Sequence, residues 1–282
     1  MPKTIAIQGQ AASFHDIAAH HFFGTNITVE PCDTFAGTFE ALKTCNYAIV
    51  AIENSLFGSI NKVYDLLLSD QCWIIGEVYL RIEQCLIGIP GAKLEAISEV
   101  HSQLEALAQC EEFLDSKLPN ARRIERHDTA ASVESIKQQA DSTKAAIASR
   151  AAAELHGMEI LAAEIETNKQ NYTRFVVLQK QPLQLAEANK TSLVLRTDAD
   201  TKSGALHHAL GVFAKRGINI TMLHSRPIIG KAWHYMFYID LDTPYDDTFK
   251  EVERELINQG CTVSVLGSYR SGRKSAHTGL AR

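Results

Sequence analysis

The stretch Asn171-Tyr172-Thr173-Arg174-Phe175 runs straight into Val176-Val177-Leu178. The apolar, β-branched triplet reads as a strand and the pentapeptide as the loop that enters it. An amide, a hydroxyl and a guanidinium thus collect at one strand mouth, where they can hydrogen-bond a leaving hydroxyl and hold a carboxylate in a fork. On its own, the pentapeptide reads as a turn made by Asn171 and Thr173 beside a solvated Arg174. The element before it sharpens the reading. Ala145-Ala146-Ile147-Ala148-Ser149-Arg150-Ala151-Ala152-Ala153 is expected to be a helix that stops at Gly157.

Working outward, the 282 residues suffice for two domains, and 45% hydrophobic with 22% charged residues is an ordinary globular composition. A net charge of −5 argues against a general nucleic-acid binder. A chain of that charge must build a local positive patch to hold a small anion, which draws attention to Arg174 and to helix N-termini. Met1-Pro2-Lys3-Thr4 enters a strand-like run at once, so no secretory signal is expected and the chain is placed in the cytoplasm. No apolar run approaches the ~18 residues that cross a bilayer. The cysteines Cys32, Cys45, Cys72, Cys85, Cys110 and Cys261 are scattered without a C-x-x-C pair and read as free thiols. The pairs His20-His21 and His207-His208 diverge on helices, and no H-E-x-x-H occurs, so no metal is expected. Only Gly9 of a dinucleotide fingerprint is present and there is no P-loop.

From the start, Thr4–Ile7 is a strand, Gln8-Gly9-Gln10-Ala11-Ala12 a turn, and a helix begins near Ser13. Ile27–Glu30 is the next strand, followed by a helix with Phe35, Phe39 and Leu42 on its core face. Tyr47–Ile52 is apolar enough to be buried on both faces of a parallel sheet. Glu53-Asn54-Ser55 directly after it lie where open α/β sheets place ligands, or else cap a helix opened by Gly58-Ser59. Strands follow at Trp73–Leu80 and Gln84–Ile89. Helices open at His101-Ser102-Gln103, with Leu107, Cys110 and Leu114 inward, and at His127–Ser132, with Asp128 or Thr129 as N-cap. Residues 1–180 are therefore read as two α/β lobes joined by crossover strands around a cleft, and polar 181–190 as a linker. Residues 191–270 show the order βαββαβ, the ferredoxin-like plan. The basic, glycine-containing 271–282 are expected to be a disordered tail.

These motifs, in this order, resemble the prephenate dehydratases over residues 4–270. Gly9–Ala19 resembles the family's Gly-rich opening turn, Val50–Gly58 its Ile-Glu-Asn-Ser-x-x-Gly, and Asn171–Phe175 its Asn-x-Thr-Arg-Phe. Ala106–Cys110 and Asp128–Ala131 match its second lobe. Gly204-Ala205-Leu206 and Ser225-Arg226-Pro227 resemble the phenylalanine-binding motifs of the attached ACT domain. The chain departs from the pattern at four places. Ala12 stands at the second glycine of the opening turn, and His15 at the hydroxyl residue after its aromatic. Gln103-Leu104-Glu105 replaces a His-Pro-Gln, and His224 the acid before Ser-Arg-Pro.

The resemblance implies a periplasmic-binding-protein-like two-lobed α/β domain followed by a ferredoxin-like ACT domain. It implies a lyase that turns prephenate into phenylpyruvate in phenylalanine biosynthesis without a cofactor. The same scaffold serves arogenate dehydratases, and a non-catalytic amino-acid sensor is the reading from another class. The implied assignments place Arg174 on a substrate carboxylate, with Ser13, Ser55 and Thr129 at anion-facing turns and Phe175 against the ring. Thr173 then faces the departing hydroxyl. Asn54, Ser102 and Gln109 complete the polar shell, and Glu53 is either a proton donor or a structural ion-pair partner. The regulatory ligand implied is L-phenylalanine, held by Gly204, Ala205, Leu206, Asn219, Ser225 and Arg226 between the paired ACT domains of a homodimer or homotetramer. A protonated His224 would repel the ligand's ammonium, so binding is expected to be weaker than in relatives with the acid, and worse below about pH 6.5.

Overall fold

A computed structural model describes residues 2–183, 186–197 and 203–272. The first lobe is laid down by β1 (Lys3–Gln8), α1 (Phe14–Phe23), β2 (Ile27–Cys32), α2 (Phe35–Ala41), β3 (Tyr47–Asn54), β4 (Gly58–Ser59), α3 (Asn61–Ser69) and β5 (Trp73–Arg81). β1 lies parallel between β2 and β3, which is why Ile5, Ala6 and Ile7 are all fully buried. The expected helix at Gly58-Ser59 is not there. Asn54 Oδ1 accepts from the backbone N–H groups of Leu56 and Phe57 at 2.9 and 3.1 Å, which reverses the chain. Gly58 and Ser59 then pair antiparallel with Asn54 and Glu53, and the helix waits until Asn61.

The second lobe comprises β6 (Cys85–Gly88), β7 (Glu99–Ser102), α4 (Leu104–Gln109), α5 (Glu111–Lys117), β8 (Arg122–Glu125), α6 (Thr129–Gln139), β9 (Lys144–Ala148), α7 (Arg150–His156) and β10 (Glu159–Ala162). Its sheet runs β10-β6-β9-β7-β8. The alanine run thus divides in two, contrary to the expected single helix. Ala145–Ala148 form the central strand, hydrogen-bonded to β6 and β7 and with no exposed surface. Burial on both faces overrides the helical preference of alanine there. Ser149 then caps α7, accepting from Ala152 N–H at 3.1 Å, and Gly157 ends it in the left-handed region. Leu107, Cys110 and Leu114 face the core as expected, although Cys110 breaks the helix into α4 and α5.

From here β11 (Tyr172–Gln179) returns to the first sheet, whose order is β2-β1-β3-β11-β5. The remainder is β12 (Lys190–Arg196), α8 (Ala205–Lys215), β13 (Ile220–Pro227), β14 (Tyr235–Leu241), α9 (Asp247–Asn258) and β15 (Thr262–Tyr269), the ferredoxin-like order. Its antiparallel sheet, β13-β14-β12-β15, packs Leu193, Leu195, Ile239 and Leu241 on Ala209, Val212, Phe213, Phe249 and Val252 of the two helices.

The chain divides into two compact units, Met1–Leu66 with Val78–Phe175, and Leu67–Glu77 with Val176–Arg282. Segment 67–77, expected in the first domain, joins the second unit through close packing and a buried charge. A Cβ on Gly267 would stand 2.0 Å from the Ile74 carbonyl oxygen, so only glycine lets these backbones meet. Lys190 Nζ reaches Glu77 Oε2 at 2.8 Å and Asp240 Oδ2 at 3.3 Å, all three side chains being at most 3% exposed. Of the expected tail, Ser271 and Gly272 are held by Glu77 Oε1, each at 3.1 Å, and the rest lies outside the described residues. All six cysteines are free thiols, and among the described residues no helix is long and apolar enough to cross a membrane.

Candidate active site

The first unit contains a cavity of ≈ 820 Å³. Strand alternation decides which residues of the opening pentapeptide reach it. Thr173 and Phe175 share one face of β11 and line the cavity, whereas Arg174 between them faces away. Arg174 is 3% exposed, is not part of the wall and has partners within the chain. The expected carboxylate fork is therefore not formed by Arg174 in this structure.

Asn54, at the end of β3, joins the two strands. Its Nδ2 donates to Asn171 Oδ1 at 2.8 Å, to the Tyr172 carbonyl at 3.2 Å and to Thr173 Oγ1 at 3.0 Å. Because Thr173 Oγ1 accepts that bond and donates to no other described residue, its O–H is left for a ligand. Ser55 lies outside the wall and staples the same junction, donating to the Gln170 carbonyl and accepting from Tyr172 N–H. The Ser102 hydroxyl is also committed elsewhere, to the Ile147 carbonyl at 2.7 Å, and has no exposed surface. Glu53 is likewise absent from the wall. Of the expected catalytic and substrate-binding residues, the cavity thus gathers Thr173, Asn54, Gln109, Phe175, Ser13 and Thr129.

Helix starts supply much of the remaining wall. Ser13 caps α1 by accepting from Asp16 N–H, and Asp128 caps α6 by accepting from Ala131 N–H at 2.7 Å. Both helix dipoles present their positive ends to the cavity. Gly9, at φ +95°, lets these two turns approach, since a Cβ there would lie 2.7 Å from Asp128 Oδ2. Ala12 takes φ +62° where the family pattern has glycine. Burial raises the pKa of the Asp128 carboxyl. The charged wall residues are Asp33, Lys62, Glu105 and Asp128, three acids to one base.

Two wall residues carried little signal in the sequence. Gln84 Nε2 donates to Gln109 Oε1 at 3.1 Å, and its own backbone N–H is held by Glu166 Oε2 at 3.0 Å. In the sequence Gln84 opens the apolar run Gln84–Ile89 and marks no motif. His15 showed only as a departure from the family pattern. It is 8% exposed, accepts from Ala51 N–H at Nε2 over 3.1 Å, and meets Phe35 and Phe175 edge-on.

In the second unit, Gly204 at φ +82° precedes α8, which Ala205 and Leu206 open. Asn219 donates to Asp242 Oδ2 at 3.1 Å. His224, Ser225 and Arg226 lie on the sheet-edge strand β13, where His224 pairs with Tyr238 and Ser225 with Phe237 of β14.

The chain matches the family model for prephenate dehydratase over residues 5–183 and that for the ACT domain over 193–244. It is 34% identical to the bifunctional chorismate mutase/prephenate dehydratase of Aquifex aeolicus, over 94% of this chain and 73% of that one. It is 36% identical to arogenate dehydratase 1 of Petunia hybrida, over 94% of this chain and 66% of the relative. Among solved structures it resembles the prephenate dehydratase of Arthrobacter aurescens in complex with L-Phe, with TM-score 0.86, 27% identity and coverage of 95% and 90%. It also resembles GqqA, described as a novel type of quorum quenching acylase, with TM-score 0.84, 31% identity and coverage of 95% and 98%.

Proposed function

This chain belongs to the prephenate dehydratase family, a family of carbon–oxygen lyases, and on that premise we propose that the cavity converts prephenate to phenylpyruvate. The observation that carries the reading is the Thr173 hydroxyl, aimed by Asn54 and left with its proton for a ligand in the cavity wall. In the reaction the bond to the ring carboxylate breaks, its electron pair enters the ring, and the ring hydroxyl departs. The departing hydroxide takes a proton from solvent, and the products are carbon dioxide, water and phenylpyruvate. Aromatisation supplies the driving force, so the protein has to align the two leaving groups and ease the exit of hydroxide.

Thr173 stabilises the departing oxygen as a hydrogen-bond donor; an unperturbed threonine is too weak an acid to protonate it outright. Phe175 and Phe35 flank the ring. The α1 and α6 N-termini and Lys62 take the carboxylates, with Ser13, Thr129 and Gln109 as neutral partners. Arg174 supports β11 from behind, and Glu53 has no part in the proton path.

Arogenate is a second reading, favoured by one observation. Three carboxylates against one ammonium in the wall suit a substrate that carries an ammonium of its own better than a dianion. Ultraviolet detection of phenylpyruvate from prephenate, and of phenylalanine from arogenate, on the same purified protein tests both. Turnover of neither defeats the dehydratase reading. An acyl-amide hydrolysis assay run alongside tests the activity in GqqA's description.

The ACT match and the L-Phe complex of the Arthrobacter relative support L-phenylalanine as feedback ligand, bound by Gly204-Ala205-Leu206 with Asn219, Ser225, Arg226 and His224 nearby. The arrangement proposed is a cytoplasmic homodimer or homotetramer, measurable by light scattering with and without the amino acid.

A further inference from the structure

The imidazole of His15 is fixed in one tautomer by its surroundings. Its ring stands edge-on to Phe35 and Phe175, with centroids 5.8 and 5.0 Å away. The Ala51 backbone N–H, 3.1 Å from Nε2, can only donate. Nε2 therefore keeps its lone pair, and the proton of the neutral ring sits on Nδ1. Burial holds the ring neutral, with its pKa lowered from 6.5 to about 3. His15 belongs to the cavity wall, and no described residue accepts from Nδ1. A donor so placed is costly to leave unpaired, so an acceptor is expected from the ligand.

We propose that His15 donates its Nδ1–H to an oxygen of the substrate lying against Phe35 and Phe175, in place of the hydroxyl that the family pattern has at this position. The assignment rests on the dehydratase reading and goes beyond it by giving a substrate contact to a residue that departs from the family pattern. A neutral imidazole does not give up its remaining proton under working conditions, so His15 binds and orients without acting as an acid. It also adds no charge. The charged groups of the wall remain Asp33, Lys62, Glu105 and Asp128, with Asp16 beside His15 on α1.

The test uses the full chain. Nitrogen-15 resonances of wild-type His15 are expected to show a protonated Nδ1 and a bare Nε2, unchanged from pH 8 to pH 5.5, with Nδ1 shifting as phenylpyruvate is added. An imidazolium forming near pH 6.5, an Nε2–H tautomer, or no Nδ1 shift at saturation overturns the proposal. His15→Gln keeps an acceptor for Ala51 but has no donor at the δ position. It should lose ~10–100-fold in kcat/KM, the range for a hydrogen bond to a charged group, with an unchanged pH profile. His15→Asn, which can place an amide N–H near the δ position, should lose less. Wild-type kcat/KM in His15→Gln, or equal losses in both folded variants, also overturns it. Should His15→Gln fail to fold, the wild-type resonances decide alone. Wild-type protein that turns over neither prephenate nor arogenate defeats the dehydratase reading instead, and is recognised as that separate failure.

Discussion

The amide of Asn54 organises the catalytic edge at the scale of single residues, because its oxygen makes the turn into β4 while its nitrogen holds Thr173. Thr173→Val keeps the shape and removes the donor, so kcat should fall by ~10²-fold or more with the fold intact, and Thr173→Ser should retain much more activity. A steady-state comparison of the two variants checks this. Polar residues at the ends of buried strands were legible as a site, and Asn54, Thr173 and Phe175 line the cavity. Ser55 and Ser102 were not legible as structural groups, because a carbonyl distant in sequence takes each hydroxyl. Arg174 adjoins Thr173 in the motif, but the two-residue period of its strand turns it from the cavity. His15 adds a prediction on stability. Its folded pKa, about 3, lies below its ordinary 6.5, so the unfolded chain takes up a proton that the folded chain refuses. The contribution is complete above pH 6.5 and is lost as pH falls toward 3, by about 1.4 kcal/mol per unit. His101 is shifted the same way by burial, so the variant isolates the contribution of His15. Between pH 6.5 and 5, wild type should lose about 2 kcal/mol more than His15→Gln in urea unfolding.

Whole elements were easier to read than their boundaries. Caps at Ser13 and Asp128 announced α1 and α6 in local chemistry, whereas the Ser149 cap of α7 lies inside the run expected as one helix. The strand Ala145–Ala148 was hidden because its identity depends on β6 and β7, not on its own residues. In the second unit, β13 and the start of α8 were both legible, and the regulatory prediction belongs to them. His224 sits on β13 where the family pattern has an acid, while Gly204 opens α8 in the left-handed region. His224→Glu should tighten L-phenylalanine binding, since a carboxylate attracts the ligand's ammonium and an imidazole does not. Calorimetric titration measures the effect. Equal affinity in wild type and variant removes His224 from the ligand site.

The division of the whole molecule could not be read from hydropathy, since the second unit takes Leu67–Glu77 out of the middle of the first. Nothing in that segment's own sequence marks it. The cause is a buried polar cluster assembled from four distant stretches. Glu77 accepts from Lys190 at 2.8 Å and from the Ser271 hydroxyl and Gly272 N–H at 3.1 Å. Asp240 accepts from the Ser192 hydroxyl at 2.5 Å, which leaves Tyr269 to donate to Ser192 at 2.7 Å. Two carboxylates with at most 2% of their side-chain surface exposed thus share one lysine. Deleting one partner of such a cluster costs more than deleting the cluster, because a bare charge stays behind in a low-dielectric interior. Lys190→Met should therefore lose about 3–5 kcal/mol in denaturant unfolding. Combining it with Glu77→Gln and Asp240→Asn should recover much of that loss, since neutral amides tolerate the missing ammonium. If Lys190→Met is as stable as wild type, the cluster does not hold segment 67–77. If the triple variant is no better than the single one, the lysine acts through packing and not through its charge.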